Sequence, residues 1–185
     1  GRITSATSRL RALGPLDTAV VFEGEHTLLR LLEALDRKAD AALRDLDTFL
    51  GGAPKSARLA VEFRHGSWHD EAVYEVLRRH GAAVAWTEWR ELPRLDAITA
   101  DFLYLRWLGD RREIAKYDRV QIDRTDSFVS WHAALSGVLG QVREVYGYFN
   151  NHWAGHSPES ANEMKRRLGL PFVEAKDAWP QGELF

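Results

Sequence analysis

Cysteine is missing from this chain. Its absence excludes disulfides and thiolate-bound metals, and it fits a reducing, cytoplasmic setting. Long hydrophobic runs are missing too. No apolar stretch reaches the roughly 18 residues of a membrane span, so none is expected. The start carries no signal-peptide pattern. Nor is there an excess of one charge: Lys and Arg number 25 against 27 Asp and Glu, a net charge of −2. Such a chain is not, as a whole, a basic nucleic-acid binder, although a local basic groove remains open to it. No repeat, low-complexity tract or linker divides it.

What is present is length and aromatic mass. The 185 residues suffice for one real core, and 7 of them are tryptophan. Such side chains mostly pack in cores, while a few can line a groove. The first residue is Gly1 instead of Met, which reads as a processed product or a piece of a longer chain.

Short apolar runs alternate with helical patterns. Strands are expected at Thr18–Gly24, Arg58–Arg64, Ala82–Glu88, Asp101–Trp107 and Val145–Asn151. A long helix is expected from about Thr27 to Phe49, with Leu28, Leu31, Leu32 and Leu35 as its stripe. Others are expected over Asp70–His80, from an N-cap at Ser127 to about Glu144, and from an N-cap at Ser157 to Gly169. Gly109–Asp126 reads as a long loop. Strands alternating with helices imply a mostly parallel α/β sheet. A TIM-barrel-like (β/α) fold is expected, incomplete at about five parallel strands, over residues 1–169, followed by an irregular tail, 170–185.

Nearly every strand turns polar at its C-terminal end: Glu23, then Glu62 and Arg64, Glu88, Arg106, and finally Asn150 with Asn151. In parallel α/β folds that end is where sites are built. Period-two alternation puts Glu62 with Arg64 on one face, and Tyr104 with Arg106. The plainer reading is that strands become polar as they reach solvent. If the ends form a mouth, Arg64 and Arg106 are its cations for an anionic ligand. Glu62 would orient Arg64, or the two would form a structural ion pair. His65 or Glu88 would transfer protons. Asn150 and Asn151 would position the ligand, or cap a tight turn. Trp68 and Tyr104 would line the site. The His65/His69 and His152/His156 spacings lie across loops and no HExxH motif occurs, so no metal ligand set is assigned and the cofactor is left unknown.

The blocks "VEFRHGSW" (61–68), "FLYLRWLG" (102–109) and "VYGYFNNHWAGHSPESANEMKRRLG" (145–169) together resemble the YecE-like family, domain of unknown function 72. The resemblance runs from about Leu10 to Gly169. It implies a TIM-barrel-like fold, close in shape to sugar isomerases and endonuclease-type barrels, and implies no particular reaction. In the family's R-x-H-G segment the histidine is missing here, where Arg106, Trp107, Leu108 and Gly109 stand. The family's N-terminal third also has no counterpart. A barrel of eight strands needs roughly 250 residues, so a fragment, a truncated form or a partner-completed barrel is expected. Exposed strand edges would then invite self-association.

The tail adds a separate signal. Gln181, Leu184 and Phe185 resemble the bacterial sliding-clamp-binding motif Gln-x-x-Leu-Phe, in which two apolar anchors enter a pocket and the amide orients them. Alternatively Leu184 and Phe185 pack back on the fold. Two functions follow. One is an enzyme hydrolysing a phosphate-bearing or nucleic-acid-derived ligand, linked by its tail to DNA repair or replication. The other is a non-catalytic anion-binding or protein-interaction module.

Overall fold

The strands form where the apolar runs predict them, and their pairing decides the rest. The computed structural model describes residues 18–21, 27–32, 39–89, 92–110 and 112–173. Glu23, His26 and the tail residues Gln181, Leu184 and Phe185 lie outside them. The chain divides into two compact units, Gly1–Tyr104 and Leu105–Phe185.

In the first unit β1 (Thr18–Val21) pairs antiparallel with β2 (Thr27–Leu32). β2 runs parallel to β3 (Arg58–Phe63), Thr27 opposite Arg58 and Leu32 opposite Phe63. β3 in turn runs parallel to β4 (Ala83–Glu88), and β5 (Phe102–Trp107) comes next in order. The sheet is therefore mixed, not wholly parallel. The expected helix from Thr27 is also corrected: Thr27–Leu32 is a strand, and helix α1 begins only at Ala39, running to Gly51. A leucine-rich run fits either element, and register against β3 decides in favour of the strand. Helix α2 (Glu71–Arg79) follows its sequence signals closely. Asp70 Oδ1 accepts the Ala72 N–H at 2.8 Å, and Gly81 closes the helix at φ 62°.

Strands buried on both faces, with one face of each helix, make the core. Leu46, Phe49 and Leu50 of α1, and Val73, Val76 and Leu77 of α2, are buried, as are Leu59–Phe63 and Ala83–Thr87. Asp47 ties the two helices together, accepting from His80 Nε2 at 2.7 Å and Arg79 Nη1 at 3.0 Å. The buried Thr99 hydroxyl donates to Ala82 O and accepts the Val84 N–H, both at 2.7 Å. The fully buried Trp86 gives its indole N–H to Ala97 O at 2.7 Å.

The second unit begins with the end of β5 and the loop after it. Helix α3 spans Thr125–Ser136, then a 3-10 turn at Leu139–Gln141, β6 (Glu144–Phe149), a short helix α4 (Asn151–Ala154) and helix α5 (Ser157–Arg167). Four boundaries differ from expectation. α3 starts before Ser127, because Asp123 Oδ1 accepts both the Thr125 N–H at 2.9 Å and its hydroxyl at 2.6 Å. It also stops at Ser136, well short of Glu144. β6 ends at Phe149, because Asn150 turns the chain into α4. His156, not Ser157, is the N-cap of α5. The unit's core is aromatic: Trp107 stacks on Phe149 at 4.0 Å, and Trp131 meets Trp107 edge-on at 5.0 Å. Trp153 packs against Phe128 and Phe149, each at 5.0 Å. No helix among the described residues is long and apolar enough to cross a membrane.

Candidate functional site

The C-terminal end of β3 carries the densest chemistry. Alternation turns Glu62 away from Val61 and Phe63, and its side chain is 0 % exposed. Arg64, two residues on, remains 24 % exposed, with its Nε 2.8 Å from Glu62 Oε1. The contact is an ion pair without the alignment of a hydrogen bond. The Arg64 guanidinium carbon also lies 4.9 Å from the Trp89 ring centroid. Burying a carboxylate costs several kcal/mol unless a cation meets it. The fold meets it with Arg64, and so holds the guanidinium between a buried charge and an indole face. That preorganises a partly exposed cation.

The turn after β3 is a 3-10 turn, Gly66–Trp68, capped by His65. His65 Nδ1 accepts the Ser67 N–H at 3.2 Å and lies 2.8 Å from the Ser67 hydroxyl. The neutral imidazole therefore carries its proton on Nε2. Trp68 stacks on Phe63 at 4.9 Å and 12°, on the side of β3 that alternation gives to Val61 and Phe63. His69 ends the turn half-buried. Burial first, and then the neighbouring charge of His65, hold its pKa below the usual histidine range. Among the described residues, neither Trp68 Nε1 nor His69 Nδ1 has a hydrogen-bond partner, and both atoms are buried. Glu88 ends β4 half-buried, and Tyr104 lies buried in β5.

In the second unit Arg106 is half-buried one residue before the end of β5. Asn150 Oδ1 accepts the His152 N–H at 2.9 Å, and the Asn150 N–H donates to Trp107 O at 2.9 Å. Asn151 Oδ1 accepts the Ser157 N–H at 2.8 Å. Both carboxamide oxygens thus serve backbone caps. Two close approaches lock this corner. A Cβ on Gly109 would lie 1.8 Å from His152 O, and one on Gly155, at φ 113°, would lie 2.4 Å from Arg119 O. The Gln121 and Ile122 N–H groups both donate to Ala154 O, at 2.7 and 3.2 Å. The loop after β5 is thereby pinned across α4.

The structure thus brings Glu62 to Arg64, and sets Asn150 and Asn151 in two successive caps, at the starts of α4 and α5. Ser67 and Trp89 were not assigned roles from sequence. Ser67 was findable from its His-x-Ser spacing, which permits a two-residue side-chain bond. Nothing local signals that Trp89 underlies Arg64. Of the tryptophans near strand ends, Trp86, Trp107 and Trp153 are core. Among the described residues, no three His, Asp or Glu side chains cluster as metal ligands.

Over residues 13–183 the sequence matches the family described as Protein of unknown function DUF72. The chain belongs to the DUF72 family. No curated protein matches it. Its structure is similar to that of a DUF72 family protein from Thermotoga maritima MSB8, at TM-score 0.64 and 25% identity over 77% of this chain and 57% of that one. It is also similar to a DUF72 family protein from Enterococcus faecalis V583, at TM-score 0.64 and 15% identity over 80% of this chain and 60% of that one. The chain thus spans about three-fifths of the length of these relatives. Within this DUF72 chain, the "VEFRHGSW" block holds the buried ion pair and "YFNNHWAG" the capped corner.

Proposed function

We propose that the C-terminal end of β3 binds an anionic, phosphate-bearing ligand through Arg64, on a sheet that forms part of a TIM-type barrel. The observation that carries this reading is the pairing of a fully buried Glu62 with a partly exposed Arg64. A preset guanidinium suits a phosphate's oxygens. Supporting it is the Nε2–H that a neutral His65 offers on the turn directly after Arg64. Because Nδ1 of His65 is occupied, that residue is a donor to the anion before it is a base. Glu88 then becomes the group for proton transfer if the site hydrolyses its ligand.

Titration calorimetry of the whole chain with inorganic phosphate and with a nucleoside monophosphate tests this. Arg64→Gln should weaken binding by about tenfold or more, the worth of a charged hydrogen bond. Unchanged affinity in a folded Arg64→Gln variant would overturn the reading. Glu88→Gln separates the two functions. Phosphate-ester turnover that this variant abolishes, with binding intact, marks an enzyme. Binding without turnover in the parent chain marks the anion-binding module.

A further inference from the structure

We infer that the second unit holds a pocket for a small monocarboxylate, built on Arg124 and Arg167 and separate from the anion site proposed at β3. A cavity of 280 Å³ lies among the loop before α3, the first turn of α3 and α5, wholly within that unit. Ligand pockets usually run to about 300–1,000 Å³, so the occupant is small. Val120, Ile122 and Phe128 give the cavity an apolar wall. Arg124 is half-buried in its lining and is anchored twice. Its carbonyl accepts the Phe128 N–H at 2.8 Å, and its Nε donates to Trp153 O at 2.8 Å. The guanidinium carbon lies 5.6 Å from the Trp153 ring centroid. Among the described residues, Nη1 and Nη2 of Arg124 have no hydrogen-bond or ion-pair partner. Arg167 repeats the arrangement. Its Nε donates to Glu163 Oε1 at 2.7 Å, and its guanidinium carbon lies 5.4 Å from the Phe128 ring centroid. Each arginine is thus fixed through Nε and keeps two terminal nitrogens, the edge that a carboxylate meets bidentately.

The ligand's charge follows from the acids around it. Glu163 engages both oxygens, Oε1 with Arg167 Nε and Oε2 with Arg166 Nη1, each at 2.7 Å. Asp123 Oδ1 accepts the Thr125 N–H and hydroxyl, and Glu159 Oε2 lies 3.2 Å from His156 Nδ1. The lining thus holds three guanidiniums and three carboxylates, a formal charge of zero. A polyphosphate or a nucleic acid meets no net attraction there. A single carboxylate on Arg124 meets donors that no acid of the described chain holds, and a short aromatic or aliphatic body fits the apolar wall.

An NMR titration of the whole chain with benzoate tests this, with benzamide as the uncharged isostere. Benzoate should bind with a Kd of about 1 mM or tighter, and benzamide about tenfold more weakly or worse. Arg124→Gln removes the fork and should weaken benzoate about tenfold or more. Val120→Asp sets a like charge on the wall at a side chain 44% exposed. It should weaken benzoate as much while leaving the melting temperature unchanged, so the test survives even if Arg124→Gln fails to fold. Arg64→Gln should leave benzoate binding intact, which separates this pocket from the β3 site. The proposal is overturned by no benzoate binding up to about 10 mM, or by equal affinity for benzamide. Parent-like affinity in either folded pocket variant overturns it too, as does loss of benzoate binding in Arg64→Gln.

Discussion

Gly109→Ala is the sharpest test of how the second unit is built. Its new Cβ would stand 1.8 Å from His152 O, 2.0 Å from the same carbonyl carbon and 2.4 Å from Trp153 N. Reaching ordinary contact requires an opening of about 1.5 Å. All three neighbours are backbone atoms, so no flexible tip can swing aside. Whatever moves takes α4 with it. His152 N–H is the donor to the Asn150 cap, and Trp153, 0 % exposed, lies between Phe128 and Phe149. Arg124 Nε donates to Trp153 O at 2.8 Å. Overpacking of this kind costs about 1–3 kcal/mol, and loss of the cap adds about 1 kcal/mol. At about 3 kcal/mol in total, a chain of this size should lose about 6–12 °C in melting temperature. Thermal unfolding followed by tryptophan fluorescence measures it. Gly140→Ala is the control, since a Cβ there meets nothing within 4 Å, and it should stay within about 0.5 kcal/mol of the parent. If Gly109→Ala melts within about 2 °C of the parent chain, the close packing of β5's exit on α4 is refuted.

Two further outcomes are expected. His69 titrates below its ordinary value because burial disfavours the imidazolium. Above about pH 6.5 it is neutral folded or unfolded, and on acidification the unfolded chain takes up the proton first, so stability falls. His69→Asn should therefore flatten the fall in melting temperature between about pH 7 and pH 5, and equal slopes in the two proteins would disprove it. The tail predicts that a Trp179–Phe185 peptide binds a bacterial sliding clamp at about micromolar Kd, with binding abolished by Phe185→Ala. No binding by the parent peptide would dispose of that motif.

The sequence was most legible where burial is two-sided. β3, β4 and β5 are continuous apolar runs bounded by polar residues, and their observed limits fall within a residue of those read from the chain. α2 was equally plain, because Asp70 and Gly81 punctuate it. Legibility failed where one pattern serves two structures. Thr27–Leu32 has enough leucine for a helical stripe, and only its register against Arg58–Phe63 makes it a strand. The start of α3 was obscured by competing caps. Ser127 is a good N-cap by type, yet Asp123 captures the Thr125 backbone and hydroxyl first. These are outcomes of pairing and side-chain geometry, to which periodicity is blind.

The two conspicuous polar blocks part company once their bonds are known. Asn150, Asn151 and Gly155 are fully accounted for by folding. The asparagine oxygens cap backbone N–H groups, and the glycine adopts a left-handed φ beside the Arg119 carbonyl. No ligand is needed to explain why those residue types stand there. Glu62 and Arg64 are different. Apolar residues in place of a whole buried ion pair are often neutral or stabilising, and position 62 is fully buried, on the strand face opposite Val61 and Phe63. The ion pair is therefore a poor device for holding β3 in place. It does something an apolar pair could not: it fixes a guanidinium, backed by Trp89, at a strand's C-terminal end. That contrast, between amide oxygens that cap backbone N–H groups and a guanidinium held partly exposed at a strand end, supports the proposed anion site at β3 over one at the β6–α4 corner.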